Sequence, residues 1–416
     1  MNNKIINPLS KLELLSPAGD SERLAAAVDY GADAVYLGGQ AFTMRYSPKN
    51  FNFEELKAAV EFSHSRGVKV YVTCNALPRN NEIPRFEQFI KEIEAAGADA
   101  AIIADLGLLS LLKKYAPSLK THMSTQTGTV NYEAARTLYN MGAQRVILAR
   151  ELSLDEIAEI RAKTPPELEL EAFVHGAMCV SFSGRCLLSQ YLTGRDANRG
   201  DCAQPCRWSY VLAEEKRPGQ FFPVREDESG SYILNSKDLC AIEILDKIAE
   251  AGVTSFKIEG RAKSAYYTAI ITNAYRMALD ILKKEPCNYI LPDWVKNEVF
   301  KVSHREYCTG FFLVQGEARQ NYETGGYIRE YDVIAVIEEC KDGRAFASLR
   351  NKFNAGDEVE IVSPGVKFDI VTINEIVNEK GEVINSAPHA MMKFSFPCEK
   401  NYPRNSIIRK KRELSP

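Results

Sequence analysis

Apolar positions recur in two alternating periods along roughly the first 280 residues. Eight short runs of aliphatic and β-branched residues are strand-like: LELLSP, ADAVYLGG, VKVYVTCNAL, ADAAIIAD, LKTHMSTQT, AQRVILAR, LELEAFVHG and VTSFKIEGR. Between them lie longer segments with apolar residues three and four apart, as in EIPRFEQFIKEIEAAG, the spacing that lines one face of a helix. Ser21 is expected to cap the first helix, with Gly31 as its stop, and Gly67 closes the second. Short strands alternating with such helices mean βαβ units and a parallel sheet. Eight strands in one run predict the α/β class and a (β/α)8 TIM-like barrel, with a doubly wound open sheet as the alternative.

The period changes near residue 285. Residues 286–325 read as a connector with some helix. From 326 to 416 the chain is β-rich, and the breaks KDG, NAGD, SPG and EKGE are turn chemistry. This predicts a barrel over 1–285, with a cysteine-rich insertion at 175–240, followed by a small antiparallel β-barrel domain. The terminal run Arg409, Lys410, Lys411 and Arg412 reads as a solvated basic tail.

Composition adds limits. Hydrophobic residues make up 45% and charged residues 26% of 416 positions, enough for a sizeable core. A net charge of −3 gives no bulk attraction to nucleic acid, so RNA contact would need a local basic patch. No run reaches the roughly 18 apolar residues of a membrane span, and the N-terminus lacks the apolar core of a signal peptide. No membrane association and a cytoplasmic location are therefore expected. Thiols stay reduced there, so the ten cysteines do not imply disulfides. Cys74, Cys287, Cys308, Cys340 and Cys398 are scattered and read mostly as small buried hydrophobes.

In a (β/α)8 barrel the working residues sit at the C-terminal ends of the strands. The rim positions are Ser16, Asp20, Tyr36 to Gln40, Asn75, Asp105, His122, Ser124, Gln126, Arg150, Glu151, Glu171, His175, Lys257, Glu259, Arg261 and Lys263. Several of these also suit plain structural roles, such as helix caps at Ser16 and Asp20. Within KIEGR, Lys257 and Glu259 alternate on a strand, and Arg261 and Lys263 follow at the loop. Such cations suit carboxylate or phosphate groups; an ion pair between Lys257 and Glu259 is the structural alternative.

The strongest signal is HGAMCVSFSGRC together with the cysteines beyond it. Six residues separate Cys179 from Cys186, fifteen separate Cys186 from Cys202, three separate Cys202 from Cys206, and 33 separate Cys206 from Cys240, which stands at the expected start of a helix. Reduced thiols grouped on an irregular loop suggest soft-metal ligation. Structural zinc prefers tight Cys-x₂₋₄-Cys pairs, and only Cys202 and Cys206 come near that. The wide gaps suit an iron–sulfur cluster better. The same segment interleaves Arg185, Arg195, Arg199, Arg207, Lys216 and Arg217 with Tyr191, Trp208 and Tyr210, as single-stranded RNA requires. Acids in the segment dilute that charge.

EAFVHGAMCVSFSGRCLLSQYL resembles the signature of the collagenase-like peptidase family U32. ELLSPAGD, ADAVYLGGQAF, HMSTQ, NRGDCAQPCRW, NSKDLC, FKIEGRAKSAYY and SHREYCTGFF extend the resemblance over nearly the whole chain. The family includes RNA-modifying proteins and ubiquinone-pathway hydroxylation factors, several with a [4Fe–4S] cluster. The length and C-terminal β domain look most like its tRNA hydroxylation branch. That resemblance implies prephenate-dependent 5-hydroxylation of a wobble uridine in the tRNA anticodon loop. It implies cluster ligands Cys179, Cys186, Cys202 and Cys240, with Cys206 as the alternative fourth. Prephenate, a small dianionic carboxylate, would meet Lys257, Arg261, Lys263 and Arg185.

His122, His175 and Glu171 are the side chains suited to acid–base chemistry. Two other readings stand beside the hydroxylase. In a collagenase-like peptidase a thiolate and a histidine must meet, and the spacing of His175 and Cys179 does not require it. In an iron–sulfur accessory protein the chain would serve a larger hydroxylating complex, with a paralogue as partner.

Overall fold

The computed structural model describes residues 11–44, 50–178, 186, 188–197, 201–205, 208, 211–213, 221–223, 237–313 and 327–412. The chain alternates as β1 (Glu13–Pro17), α1 (Ser21–Asp29), β2 (Ala34–Gly38), α2 (Phe53–His64), β3 (Lys69–Cys74), α3 (Phe86–Ala95) and β4 (Ala100–Ile103). It continues with α4 (Leu106–Tyr115), β5 (Lys120–Met123), α5 (Tyr132–Asn140), β6 (Arg145–Ile147), α6 (Leu154–Ala162) and β7 (Glu169–Ala177). After these come α7 (Leu188–Thr193), the hairpin β8 (Val211–Ala213) and β9 (Phe221–Pro223), and β10 (Asp238–Cys240). Then follow α8 (Leu245–Glu250), β11 (Ser255–Ile258) and α9 (Ala265–Lys284).

β1 to β7 pair in parallel, each with the next, and β11 pairs with both β7 and β1. The eight-stranded sheet therefore closes, as the count of eight predicted. Local chemistry fixes the helices. Asp20, rather than Ser21, caps α1 by accepting from the Arg23 N–H. Asn52 and Ser153 complete reciprocal capping boxes with Glu55 and Glu156, satisfying N–H groups that a helix start leaves open. On α3, Phe86, Ile90 and Ile93 fall on one face and are buried against the sheet, each stabilising by about 1.5–3 kcal/mol.

Two segments depart from expectation. Cys240 ends a strand instead of starting a helix. β10 runs antiparallel to the part of β7 that projects beyond the barrel, with Cys240 opposite His175. The connector contains α10 (Asp293–Glu298) and then β12 (Tyr307–Cys308), which pairs with β10. Pairing there satisfies backbone groups at the barrel's end, and this outweighs the helical spacing of SKDLCAIEIL.

The C-terminal region holds β13 (Tyr331–Lys341), β14 (Arg344–Leu349), β15 (Phe353–Asn354), β16 (Asp357–Val362), β17 (Asp369–Ile373) and β18 (Ile376–Asn378). It ends with β19 (Val383–Ile384), β20 (Ser386–Ala387), β21 (Lys393–Pro397) and β22 (Ile407–Lys411). Eight of these form an antiparallel sheet, in the order β17-β16-β22-β13-β14-β21-β18-β19, that curls around its own apolar core. The barrel core reaches into this domain through Val362 and Ile407. The basic run is therefore not a solvated tail. β22 lies between β16 and β13, and the Arg409 side chain is fully buried, paired with Glu298 at 2.7 Å and with Glu360 at 2.6 Å. Among the described residues, no helix is long and apolar enough to cross a membrane.

Candidate functional site

Side chains pointing into the barrel divide into a closed network below and an open cavity above. Below, Arg145 on β6 meets Glu13 at 2.7 Å, Glu169 at 2.6 Å and Glu171 at 3.0 Å. Lys257 on β11 meets the other oxygen of Glu171 at 2.7 Å. The Ser255 hydroxyl donates to Glu13 at 2.9 Å, and the Tyr71 hydroxyl donates to Glu13 at 2.7 Å. Burial pushes the Glu13 carboxyl up, but Arg145 and the bonds from Arg145 and Tyr71 outweigh it, leaving the group at about 2. Burial holds Lys257 below the usual amine range, with Glu171 pulling the other way. Glu171, not Glu259, is the ion-pair partner of Lys257; Glu259 lies instead 3.4 Å from the Tyr36 hydroxyl and 3.9 Å from Arg150.

Above this network a cavity of about 910 Å3 opens at the C-terminal ends of β1, β2, β3 and β11. Gly19, Gln40, Phe42, Thr43, Asn50 and Arg261 line its barrel side, and Arg195, Asp196, Asp201, Cys202 and Gln204 of the cysteine-rich segment line the opposite wall. Arg23 and Arg85 stand at its edge. Four guanidiniums thus face one space, with Glu82, Asp196 and Asp201 as acids in the same lining.

Arg261 is held by one hydroxyl near the end of β3 and one in the loop that follows β2. Its Nη1 donates to Thr73 Oγ1 at 2.8 Å and to Thr43 Oγ1 at 3.0 Å, and Nη2 also donates to Thr43 at 3.0 Å. The Thr73 hydroxyl donates to the Leu37 carbonyl at 3.0 Å, so the 2.8 Å bond between the two threonines takes its proton from Thr43. A Cβ on Gly38 would lie 2.6 Å from Arg261 Nη1, so only glycine leaves room for the guanidinium. Beside Thr43, Phe42 takes a left-handed φ of 56° and packs edge-on against Phe86 at 5.2 Å. Such a backbone costs about 1–3 kcal/mol in a bulky residue, a cost that clusters at binding sites.

The three residues expected to do acid–base work do not line this cavity. Glu171 is fully buried in the network below. His122 is buried edge-on against Tyr71 at 4.6 Å, and its Nδ1 has no hydrogen-bond partner among the described residues. Burial, with Arg145 and Lys257 nearby, holds His122 neutral far below its ordinary range. His175 lies among tyrosines, its Nδ1 3.3 Å from the Tyr275 hydroxyl and its Nε2 3.4 Å from the Tyr307 hydroxyl. Burial, reinforced by Lys263 and His304, lowers it to about 3. The reason is alternation along the strand: these side chains face the packed interior or α9, and only residues past the strand ends reach the mouth.

The expected cation group is split in the same way. Arg261 lines the cavity and Lys257 belongs to the network below. Lys263 turns toward the connector, where its Nζ donates to the Ser303 carbonyl at 3.4 Å. Arg185 lies outside the described residues. Of the other rim positions, Ser16 bonds Thr272 on α9, and Asp105 caps α4. Asn75 accepts from the Met44 N–H and so ties down the loop that carries Phe42 and Thr43.

Cys179 and Cys206 also lie outside the described residues. Cys186, Cys202 and Cys240 are reduced and half-buried. Burial pushes the Cys240 thiol up to about 12, and its sulfur lies 4.0 Å from the Tyr275 hydroxyl. Among the described residues, no three His, Cys, Asp or Glu side chains stand close enough to hold a metal ion. Arg23, Arg85, Phe42, Thr43 and Thr73 were not anticipated as site residues. The signal for Thr43 and Thr73 was faint: one hydroxyl near the end of β3 and one in the loop after the glycine pair at the end of β2.

The model of the peptidase family U32 matches residues 19–322, and the model of the U32 C-terminal domain matches residues 329–409. The chain is 36% identical to tRNA hydroxylation protein P1 of Bacillus subtilis, over 95% of this chain and 94% of that protein. It is 42% identical to an uncharacterized protease of Methanocaldococcus jannaschii, over 92% of this chain and 95% of the other. It is 38% identical to the 23S rRNA 5-hydroxycytidine C2501 synthase of Escherichia coli, over 66% of this chain and 40% of that protein. With both domains matched in order along one closed barrel and one curled sheet, the chain belongs to peptidase family U32.

Proposed function

We propose that this chain is an RNA-modifying hydroxylase that forms 5-hydroxyuridine at the wobble position of tRNA, with prephenate as co-substrate. The observation that carries this reading is the cavity at the barrel mouth, where arginines and a cysteine of the conspicuous segment share one space. Similarity to tRNA hydroxylation protein P1 along nearly the full length supports the RNA substrate, and a ribosomal RNA hydroxycytidine synthase among the relatives supports hydroxylation of a pyrimidine.

Arg261, set on its two threonines, meets one carboxylate of the dianion. Arg85 neutralises the second, with Arg23, itself paired with Asp20, beside it. Phe42 supplies an apolar wall for the ring. Exposed Tyr191 and Trp208, on the segment that forms the opposite wall, stack on unpaired bases of the anticodon loop.

A [4Fe–4S] cluster is held by Cys179, Cys186, Cys202 and Cys240, with Cys206 the alternative to Cys240. The donor chemistry fits, since the three described thiols are reduced, and a thiol as protonated as Cys240 gives up its proton on binding metal. When bound, such a cluster supplies electron transfer or a Lewis-acid site. His175 has both ring nitrogens facing tyrosine hydroxyls, which speaks against a peptidase dyad with Cys179.

The test is nucleoside analysis of tRNA from a deletion strain carrying either the wild-type gene or the Cys202→Ser variant. Wild type restores 5-hydroxyuridine derivatives and Cys202→Ser does not. Full restoration by Cys202→Ser, or derivatives unchanged in the deletion strain without a paralogue, overturns the proposal.

A further inference from the structure

Lys263 stands two residues beyond Arg261 but does not line the cavity. Its carbonyl accepts from Arg23 Nε at the cavity's edge, while its ammonium group reaches outward. There it lies 3.4 Å from the Ser303 carbonyl, 4.4 Å from the centre of the Tyr327 ring and 5.2 Å from that of Tyr267. A carbonyl and two rings fix the position of the charge without cancelling it. Tyr327 is 44% exposed and opens a strip of surface that leads onto the C-terminal sheet. Ile328 and His304 exchange both backbone hydrogen bonds, at 2.8 and 3.2 Å. Tyr331, at the start of β13, pairs with Lys411 at the end of β22, and the Arg412 N–H donates to the Glu330 carbonyl at 2.7 Å. Residues 327–330, Lys411 and Arg412 are all exposed. Arg329 and Arg412 share a single carboxylate, Asp332, at 3.1 and 2.8 Å. Exposed pairs of this kind are worth about 0–1 kcal/mol, so a phosphate can replace the carboxylate. The strip therefore sets Lys263, Arg329, Lys411 and Arg412 against Glu330 and Asp332, a local excess of positive charge on a chain whose net charge is −3.

We propose that this strip, at the junction of the two domains, is a second RNA-binding surface that holds backbone phosphates flanking the nucleotide presented to the cavity. The proposal rests on the RNA substrate proposed above. A chain without bulk attraction for nucleic acid needs such a local patch. Continuity with the cavity favours RNA as its occupant: the loop that aims Arg261 into the cavity also delivers Lys263 to the strip. Phosphate contacts fix the register of a strand and carry no sequence information, so the strip orients the RNA while the cavity selects the nucleotide. The C-terminal sheet thereby gains a direct part in substrate binding, through the ends of β13 and β22.

The full chain, purified without oxygen, is titrated into a labelled unmodified tRNA transcript at salt concentrations from about 50 to 200 mM. Wild type is compared with the triple variant Lys263→Gln, Arg329→Gln, Lys411→Gln. The control triple variant is Lys114→Gln, Lys120→Gln, Lys284→Gln, which removes exposed lysines at the opposite end of the barrel. Each phosphate contact contributes about 0.7–0.9 to the slope of log affinity against log salt. The strip variant is expected to flatten that slope by about 2 and to weaken binding roughly 10- to 100-fold near 0.1 M salt, while the control stays close to wild type. Lys411→Gln alone, at an exposed position, is expected to flatten the slope by about 0.8, which a folding defect in the triple variant would not mimic. A strip variant with the affinity and slope of wild type, or a control that loses as much, overturns this proposal and leaves the RNA reading standing. Wild type that does not bind the transcript overturns both.

Discussion

At the bottom of the barrel Arg145 and Lys257 are met by Glu13, Glu169 and Glu171; at its mouth Arg261 rests on two threonine hydroxyls. Arg145, Lys257 and Arg261 are all buried, and all come from strands of the same sheet or the loops that leave them. In the lower set, cationic nitrogens and carboxylate oxygens are matched at hydrogen-bond distance, so the charge holds strands together. In the upper set, neutral hydroxyls fix the direction of a guanidinium that lines a cavity. The same kind of charge is structural where carboxylates enclose it and serves binding where hydroxyls aim it into open space.

The sharpest way to break this comparison is Glu171→Ala. It leaves Lys257 without its acid in a site closed to water, while Arg145 keeps Glu13 and Glu169. Removing one partner of a buried pair costs about 3–5 kcal/mol. Denaturant unfolding reads this directly. A double replacement, Glu171→Met with Lys257→Met, is expected to recover most of the loss, because no uncompensated charge remains. A single-variant loss below about 1 kcal/mol would remove the distinction between floor and mouth.

Arg261→Met tests the other side. A charge-assisted hydrogen bond contributes about 1.5–3 kcal/mol, so formation of hydroxylated nucleoside is expected to fall roughly 10- to 150-fold. Thr43 and Thr73 remain bonded to each other, and the unfolding midpoint is expected to stay close to wild type. A variant that unfolds as easily as Glu171→Ala would make Arg261 another structural cation.

Much of this molecule was legible from its pattern. Eight strand-like runs, each followed by a helical period, gave the closed barrel, and turn chemistry after residue 326 gave the second sheet. What failed, failed for physical reasons. Arg409 looked solvated because four basic residues in a row rarely enter a sheet; the acids that bury it, Glu298 and Glu360, come from elements far off in sequence. Cys240 looked helical because β10 forms through pairing with β7 on one side and β12 on the other, both far off in sequence. For the site, strand ends were predictable, but the facing of each side chain was not. Lys257 and Arg261 stand four apart, yet one lies in the packed interior and the other lines the mouth. Thr43 and Thr73 carry no motif, and their role appears only when β2 and β3 lie side by side.

Acid separates the two regions again. His175 is neutral in the fold, lowered by burial to about 3, whereas an unfolded histidine takes a proton near 6.5. The unfolded state therefore binds more protons between these values, and stability falls as pH drops through that window. The loss is about 1.4 kcal/mol per unit, or about 2 kcal/mol at pH 5. His175→Phe is expected to reduce the slope of stability against pH between 6.5 and 5, leaving the part that His122 contributes. Glu13, held at about 2, adds a second loss only below about 4.5. An unchanged slope in His175→Phe would place the acid sensitivity elsewhere.

The smallest effect is the most specific. Thr43→Val removes the acceptor of two Arg261 hydrogen bonds with little change of shape, and Thr73→Val removes the acceptor of a third along with a donor to Leu37. Neither removes the charge. Each hydroxyl is worth about 1 kcal/mol of orientation, so the KM for the anionic co-substrate is expected to rise roughly fivefold in each variant. kcat is expected to hold, because the guanidinium binds the anion alike in ground and transition states. Thr43→Ser keeps the hydroxyl and should restore the wild-type KM, which a packing defect would not do. A Thr43→Val enzyme with wild-type KM would mean that Arg261 is aimed by something other than its hydroxyl cradle.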